Sequence, residues 1–312
     1  TMINENDAFI KELMSQMSEE ELITFVKGNI KRLYTNTIML VHQLRRKWDK
    51  EHKNASESEC IAQCMIQMAA VKTNTILNLA QGQSLSENGN VLIQDIPSLL
   101  TILRSFYELC FIFHNLFITP ENDIEREIIK SFWIIRGLQN RQGLANVPEE
   151  YKVKEFSEKQ EIEDLRNRVR ELLEQIPIEE IALKDCLGIL KNKGTSLKGY
   201  YFEKSKEGKI LNIKSIYMDE GINDILHNSN SKILYKFTSF HTHPSYLGVL
   251  QFGQIFNDNP SPYVSTIINT TYFLLATILY DFCSYSSEAK LLFSQIDKES
   301  FEQISYVIKH KQ

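Results

Sequence analysis

Apolar residues along the chain return at intervals of three and four rather than two. Phe9, Ile10, Leu13 and Met17 do so near the start, and Leu165, Val169, Leu172 and Ile176 further on; this is the spacing of one helix face. The pattern predicts helices over about 4–16, 19–49, 57–82, 95–118, 121–142, 155–175, 178–191, 219–227, 230–243, 262–284, 287–295 and 298–308. Start signals support several of them. Ser18 with Glu21 and Ser56 with Glu59 have the spacing of a capping box. Thr119 before Pro120 places a cap and then a proline at the first helical position, and Asp297 is placed to cap the last helix. Gly, Pro, Asn and Ser cluster over 83–92, 143–150, 192–209 and 248–261, which read as loops. Ile210 to Tyr217 is the only stretch with strand character. The expected fold is all-α, a multi-helix bundle around a central apolar helix. It is read as one domain over 1–312, with a charged peripheral excursion at about 145–215.

Composition narrows the class. The 312 residues are 43% hydrophobic and 24% charged, with 12 Gly and 7 Pro, which excludes disordered and collagen-like chains. A net charge of -5 offers no global attraction to nucleic acid or an anionic membrane. Nucleic acid as a partner would have to rest on the local basic run HQLRRKWDKEHK, residues 42–53. Within that run Arg45 or Arg46 with His52 has the spacing of a ribonuclease pair, but Lys47 follows where a small polar residue is usual. Five cysteines without a CxxC pattern point to a reducing cytosol. Cys60 and Cys64, four apart, read as two small core residues. The acidic, polar start TMINENDAFIKEL lacks the order of a secretory signal, so a cytoplasmic location is expected. The uncharged stretch from Asn259 to Tyr280 carries two Pro and two Asn and reads as a buried helix rather than a membrane span.

Candidate chemistry lies in two places. The segment SLLTILRSFYELCFIFHNLF is apolar around its whole circumference, so Arg104 and Glu108 within it need partners. At i,i+4 they reach each other, with Arg first, the order less suited to the helix dipole. In KILYKFTSFHTHPSYLG, Tyr235, Ser239 and His243 fall at i, i+4 and i+8 and form one stripe of phenol, hydroxyl and imidazole. Pro244 would end that helix and leave His243 where the dipole favours a protonated ring. Arg136, in SFWIIRGLQNR, is a further cation in an apolar helix, and with Arg104 it could clamp the phosphate or carboxylate end of a ligand. The letters HTHP invite a zinc-protease reading, but Gln251 and Gln254 stand where a metal carboxylate is needed. No metal or cofactor is expected.

Arg104, Ser105 and Glu108, followed far downstream by Tyr235, Ser239, His243, Pro244 and Ser245, resemble the paired signature of a helical microbial family, the domain of unknown function 5677. Its Arg-Ser-x-x-Glu helix precedes a Tyr-x3-Ser-x3-His-Pro-Ser helix. The resemblance implies an all-helical fold and carries no activity with it. The expectation is a cytosolic binding or interaction protein, in stress or phage defence, in which Arg104, Glu108, Arg136, Tyr235, Ser239 and His243 serve a small polar or anionic ligand. The alternative is a metal-independent hydrolase or ribonuclease with His243 as acid or base, Glu108 orienting it and Arg104 against the developing negative charge. The residues leave the oligomeric state open.

Overall fold

The computed structural model describes residues 19–84, 92–142, 148–192, 198–226, 229–242, 245–257 and 261–309. Twelve α-helices are found among the described residues, with two short hairpins, and the fold is all-α. The predicted helix over 4–16 and the Ser18 cap lie outside the described residues.

The chain forms two compact units, one from the described residues up to Cys110 and from Leu226 onward, the other from Phe111 to Ile225. The first unit holds helices α1 (Glu19–Glu51), α2 (Glu57–Leu79) and most of α3 (Ile96–Phe117). The second takes the end of α3, then α4 (Asp123–Gln142), α5 (Lys152–Leu173), α6 (Glu180–Lys191) and α7 (Met218–Leu226). The chain re-enters the first unit for α8 (Ser229–Thr242), α9 (Tyr246–Asn257), α10 (Ser261–Tyr285), α11 (Ser287–Ile296) and α12 (Lys298–Lys309).

In the first unit α10 packs on α1, α2, α11 and α12, and α1 also packs on α2 and α11. Ile30, Leu40, Ile66, Ala69, Leu274, Leu275 and Phe293 are wholly shielded from water there. Helix α2 starts where it does because Ser56 and Glu59 form the reciprocal capping box. The Ser56 hydroxyl accepts from the Glu59 amide at 3.2 Å, and the Ser56 amide donates to Oε2 of Glu59 at 2.9 Å. Asp297 caps α12 as expected, accepting from the Ser300 amide at 3.0 Å, and it also receives a bidentate pair from Arg32 of α1. These bonds hold the carboxyl of Asp297 well below its usual range against the opposing effect of burial. The core of the second unit gathers Ile128, Phe132 and Ile135 of α4 with Val169 and Leu172 of α5, Cys186 of α6 and Ile213 of a hairpin strand.

Four local expectations need correction. Helix α4 begins at Asp123, capped by Asn122, whose side-chain oxygen accepts from the Glu125 amide at 3.0 Å. Thr119 instead turns its hydroxyl to the His114 carbonyl. The loop expected over 192–209 contains strand Gly199–Lys204, which pairs antiparallel with Ile210–Ile216. The turn between them places Gly208 at φ +82, a backbone state that suits glycine. Helix α9 occupies most of the loop expected over 248–261. Cys60 and Cys64 are exposed rather than in the core, while Cys110, Cys186 and Cys283 are buried.

Among the described residues two helices, Ile96–Phe117 and Pro262–Tyr285, are long and apolar enough to cross a membrane by length and composition alone. Their most apolar windows are 61% and 56% buried inside the protein.

Candidate functional site

The site is built on α3 and α8. Along α3, Leu99, Leu100, Leu103, Phe106 and Tyr107 are buried, whereas Thr101, Arg104, Ser105 and Glu108 are only partly so. The helix is therefore enclosed on most of its surface and polar on one narrow stripe. Helix α8 presents Tyr235 and Ser239, one turn apart, to that stripe.

Arg104 is held by three partners. Its Nε donates to Oε1 of Glu108 at 3.1 Å, its Nη2 donates to the Tyr235 hydroxyl at 3.1 Å, and its Nη1 donates to the Ser239 hydroxyl. The Tyr235 hydroxyl in turn donates to the same Glu108 oxygen at 3.0 Å. Arginine, tyrosine and glutamate thus close a ring in which the shared carboxylate oxygen accepts twice. The guanidinium also lies 4.7 Å from the centroid of the Tyr235 ring, within range of a cation–π attraction. The Tyr107 ring meets the Tyr235 ring edge-on at 6.0 Å, fixing the phenol from the buried side. Burial pushes the Tyr107 hydroxyl's own pKa up.

Three donors of Arg104 are committed out of the five a guanidinium carries. Its side chain is 26% exposed and that of Glu108 33%. The pair is therefore neither a sealed core ion pair nor a free surface one. Desolvation is partial, the three bonds restrain the geometry, and part of the charge still faces water.

A second cation joins the cluster that pattern reasoning did not single out. Lys72, on α2, donates to the Ser105 hydroxyl at 2.5 Å. Burial holds the Lys72 ammonium below its ordinary pKa, and the Glu108 carboxylate opposes that. Its only sequence signal is to be a lone lysine in the apolar run IQMAAVKTNTILNL. Further along α8, His241 packs edge-on against Phe237 with ring centroids 5.1 Å apart. Burial lowers its pKa, with the nearby Gln251 side chain acting the other way, yet among the described residues neither ring nitrogen finds a well-formed hydrogen bond.

Of the expected site residues, Arg104, Glu108, Tyr235 and Ser239 meet, and Ser105 joins them through Lys72. His243 and Pro244 lie outside the described residues. Arg136 belongs to the second unit, where it donates to the Asn192 carbonyl at 3.3 Å. Ser245 serves its own helix start. Its hydroxyl accepts from the Gly248 amide at 3.0 Å and so caps α9, and it donates to the Phe240 carbonyl at 3.0 Å. Among the described residues no three His, Cys, Asp or Glu side chains come together as a metal site.

Helices α3 and α8, with α10, line an open groove of about 250 Å3 formed by Leu100, Leu234, Phe237, Pro262, Tyr263, Thr266 and Ile267. Leu100 is one helical turn before Arg104, and Leu234 and Phe237 flank Tyr235 on α8.

Fold and site together define an all-helical protein in which two helices distant in sequence share one charged cluster and also contribute to an apolar groove. The chain belongs to the family of unknown function DUF5677, whose model matches residues 73–260. That span contains all of Arg104, Ser105, Glu108, Tyr235 and Ser239 and begins one residue after Lys72. Comparison with curated proteins and with solved structures found no match in either case.

Proposed function

We propose that this protein binds a small polar ligand at the Arg104–Glu108–Tyr235–Ser239 cluster. The observation that supports the reading is the state of Arg104: its guanidinium is fixed by three side chains and by the face of Tyr235, while it keeps uncommitted donors and access to water. A preorganised, partly desolvated arginine that keeps access to water is the arrangement that recognises an oxygen-bearing group without reorganising to do so. The stress or phage-defence setting in the cytoplasm belongs to the same reading. The hydrolase alternative needs an imidazole in the cluster, and that part falls to His243.

The test is a thermal-shift panel of carboxylates, inorganic phosphate, nucleoside monophosphates, amino acids and short oligoribonucleotides. It compares the parent with Arg104→Leu, with labelled RNA and nitrophenyl esters assayed for turnover alongside. Binding predicts that at least one chemical class raises the Tm of the parent, by mass action, and leaves that of Arg104→Leu unchanged. A panel with no shift in the parent, or the same shift in both proteins, overturns the reading. Turnover that disappears in His243→Ala would replace it with the hydrolase.

A further inference from the structure

Resting on that binding site, we infer that its ligand is an anionic amphiphile: a free carboxylate seated between Lys72 and Arg104, with an apolar tail of medium length lying in the groove beside α3 and α8. Charge bookkeeping supplies the first half. Among the described residues the cluster contains two cations, Lys72 and Arg104, against one carboxylate, Glu108. Glu108 is already engaged with Arg104 and Tyr235. Lys72 meets a neutral hydroxyl, that of Ser105, and forms no ion pair among the described residues. A half-buried ammonium with three donors and one neutral acceptor is poorly compensated. Its depressed pKa is the expected consequence. One added negative charge would neutralise the cluster and give acceptors to the spare donors of both cations.

The groove supplies the second half. Its walls are mainly aliphatic and aromatic, from Leu100, Leu234, Phe237, Pro262, Tyr263 and Ile267, and the hydroxyl of the remaining wall residue, Thr266, donates to the Pro262 carbonyl of its own helix. None of these is charged, so a second charged group on the ligand would find no ion-pair partner in the groove. A volume of about 250 Å3 holds on the order of eight methylene-sized groups, each taking roughly the 30 Å3 of a water molecule. That fits one medium acyl or aryl chain. The groove is sized for one chain rather than the paired long chains of a membrane phospholipid, and the single negative charge that would balance the cluster matches a carboxylate. The two features share their helices, since Leu100 and Arg104 lie on neighbouring turns of α3, and Leu234 and Tyr235 are consecutive on α8.

The experiment is calorimetric titration of the full chain with octanoate, octanol, octylammonium and inorganic phosphate at neutral pH. Octanoate is expected to bind at least tenfold more tightly than octanol and than phosphate, and octylammonium not at all. Lys72→Met is expected to weaken octanoate at least tenfold while leaving octanol unchanged, and Lys72→Arg to restore most of the loss. Equal binding of octanoate and octanol, or undiminished octanoate binding by a folded Lys72→Met, overturns the anionic assignment and leaves an Arg104-dependent site in place. Preference for phosphate over octanoate overturns the amphiphile. Absence of binding by every octyl compound overturns it as well, while the panel with Arg104→Leu decides separately whether there is a ligand site. If Lys72→Met fails to fold, the ratio of octanoate to octanol in the parent carries the decision.

Discussion

At Lys72 burial and charge pull against each other. Its pKa in the folded protein is lowered from the ordinary 10.5, chiefly by desolvation. Between the folded value and 10.5 the unfolded chain therefore binds more protons than the folded one, and the stability contributed at this position rises with pH across that window. At neutral pH the charge is a cost, softened by partial access to solvent. Lys72→Met should accordingly lack this slope. Compared with the parent by urea unfolding at pH 7 and at pH 10, the variant should gain relative stability at pH 7 and lose that advantage at pH 10; parallel behaviour at both pH values would contradict the assignment. The reason Lys72 escapes a sequence reading is physical. A single lysine on an amphipathic helix is ordinarily a solvated, snorkelling side chain, and only the approach of Ser105 and Glu108 from α3 changes its environment. Arg104 and Glu108 are legible because they stand in a helix that is otherwise apolar around most of its circumference, where a charge must find partners.

At the scale of elements, helix periodicity carries most of the fold, and the failures occur where local chemistry points both ways. The α9 segment YLGVLQFGQIFN has two glycines and no charge, so its composition resembles a loop. Tertiary context accounts for the helix: Ser245 caps its start, and Gly248 allows close passage over α8. A Cβ built at Gly248 would run into the Phe240 carbonyl oxygen, a backbone atom with no rotamer to yield. Gly248→Ala should therefore destabilise the protein by about 1–3 kcal/mol, the cost of overpacking, even though alanine is the better helix former. Unchanged urea unfolding would show that α9 does not cross α8 at this point. The hairpin at Gly199–Ile216 is hidden for another reason. Tyr200, Tyr201 and Phe202 favour a strand, but the neighbouring Lys, Ser and Gly residues give the segment the appearance of a long polar loop. Exposed Cys60 and Cys64 show the converse limit, since cysteine's usual burial is a tendency of the residue type and says nothing about which helix face it occupies.

In the molecule as a whole, each described member of the charged cluster belongs to the first compact unit, although the second unit lies between its two halves in sequence. Arg104 and Tyr235 are 131 residues apart along the chain and bonded in space. The residue types and the i,i+4 stripes identify the two halves. Their pairing depends on the chain leaving through α3 and returning through α8, which periodicity does not encode. Arg136 lies in the intervening unit, where it donates to the Asn192 carbonyl. The junction of α3 with α8 can be read by a double-mutant cycle on the free energy of unfolding, with Arg104→Leu, Tyr235→Phe and the double variant. Residues bonded as described should show a coupling of about 0.5–3 kcal/mol, with the double variant less destabilised than the sum of the singles. Strict additivity, within about 0.3 kcal/mol, would mean that the two helices do not meet through these side chains.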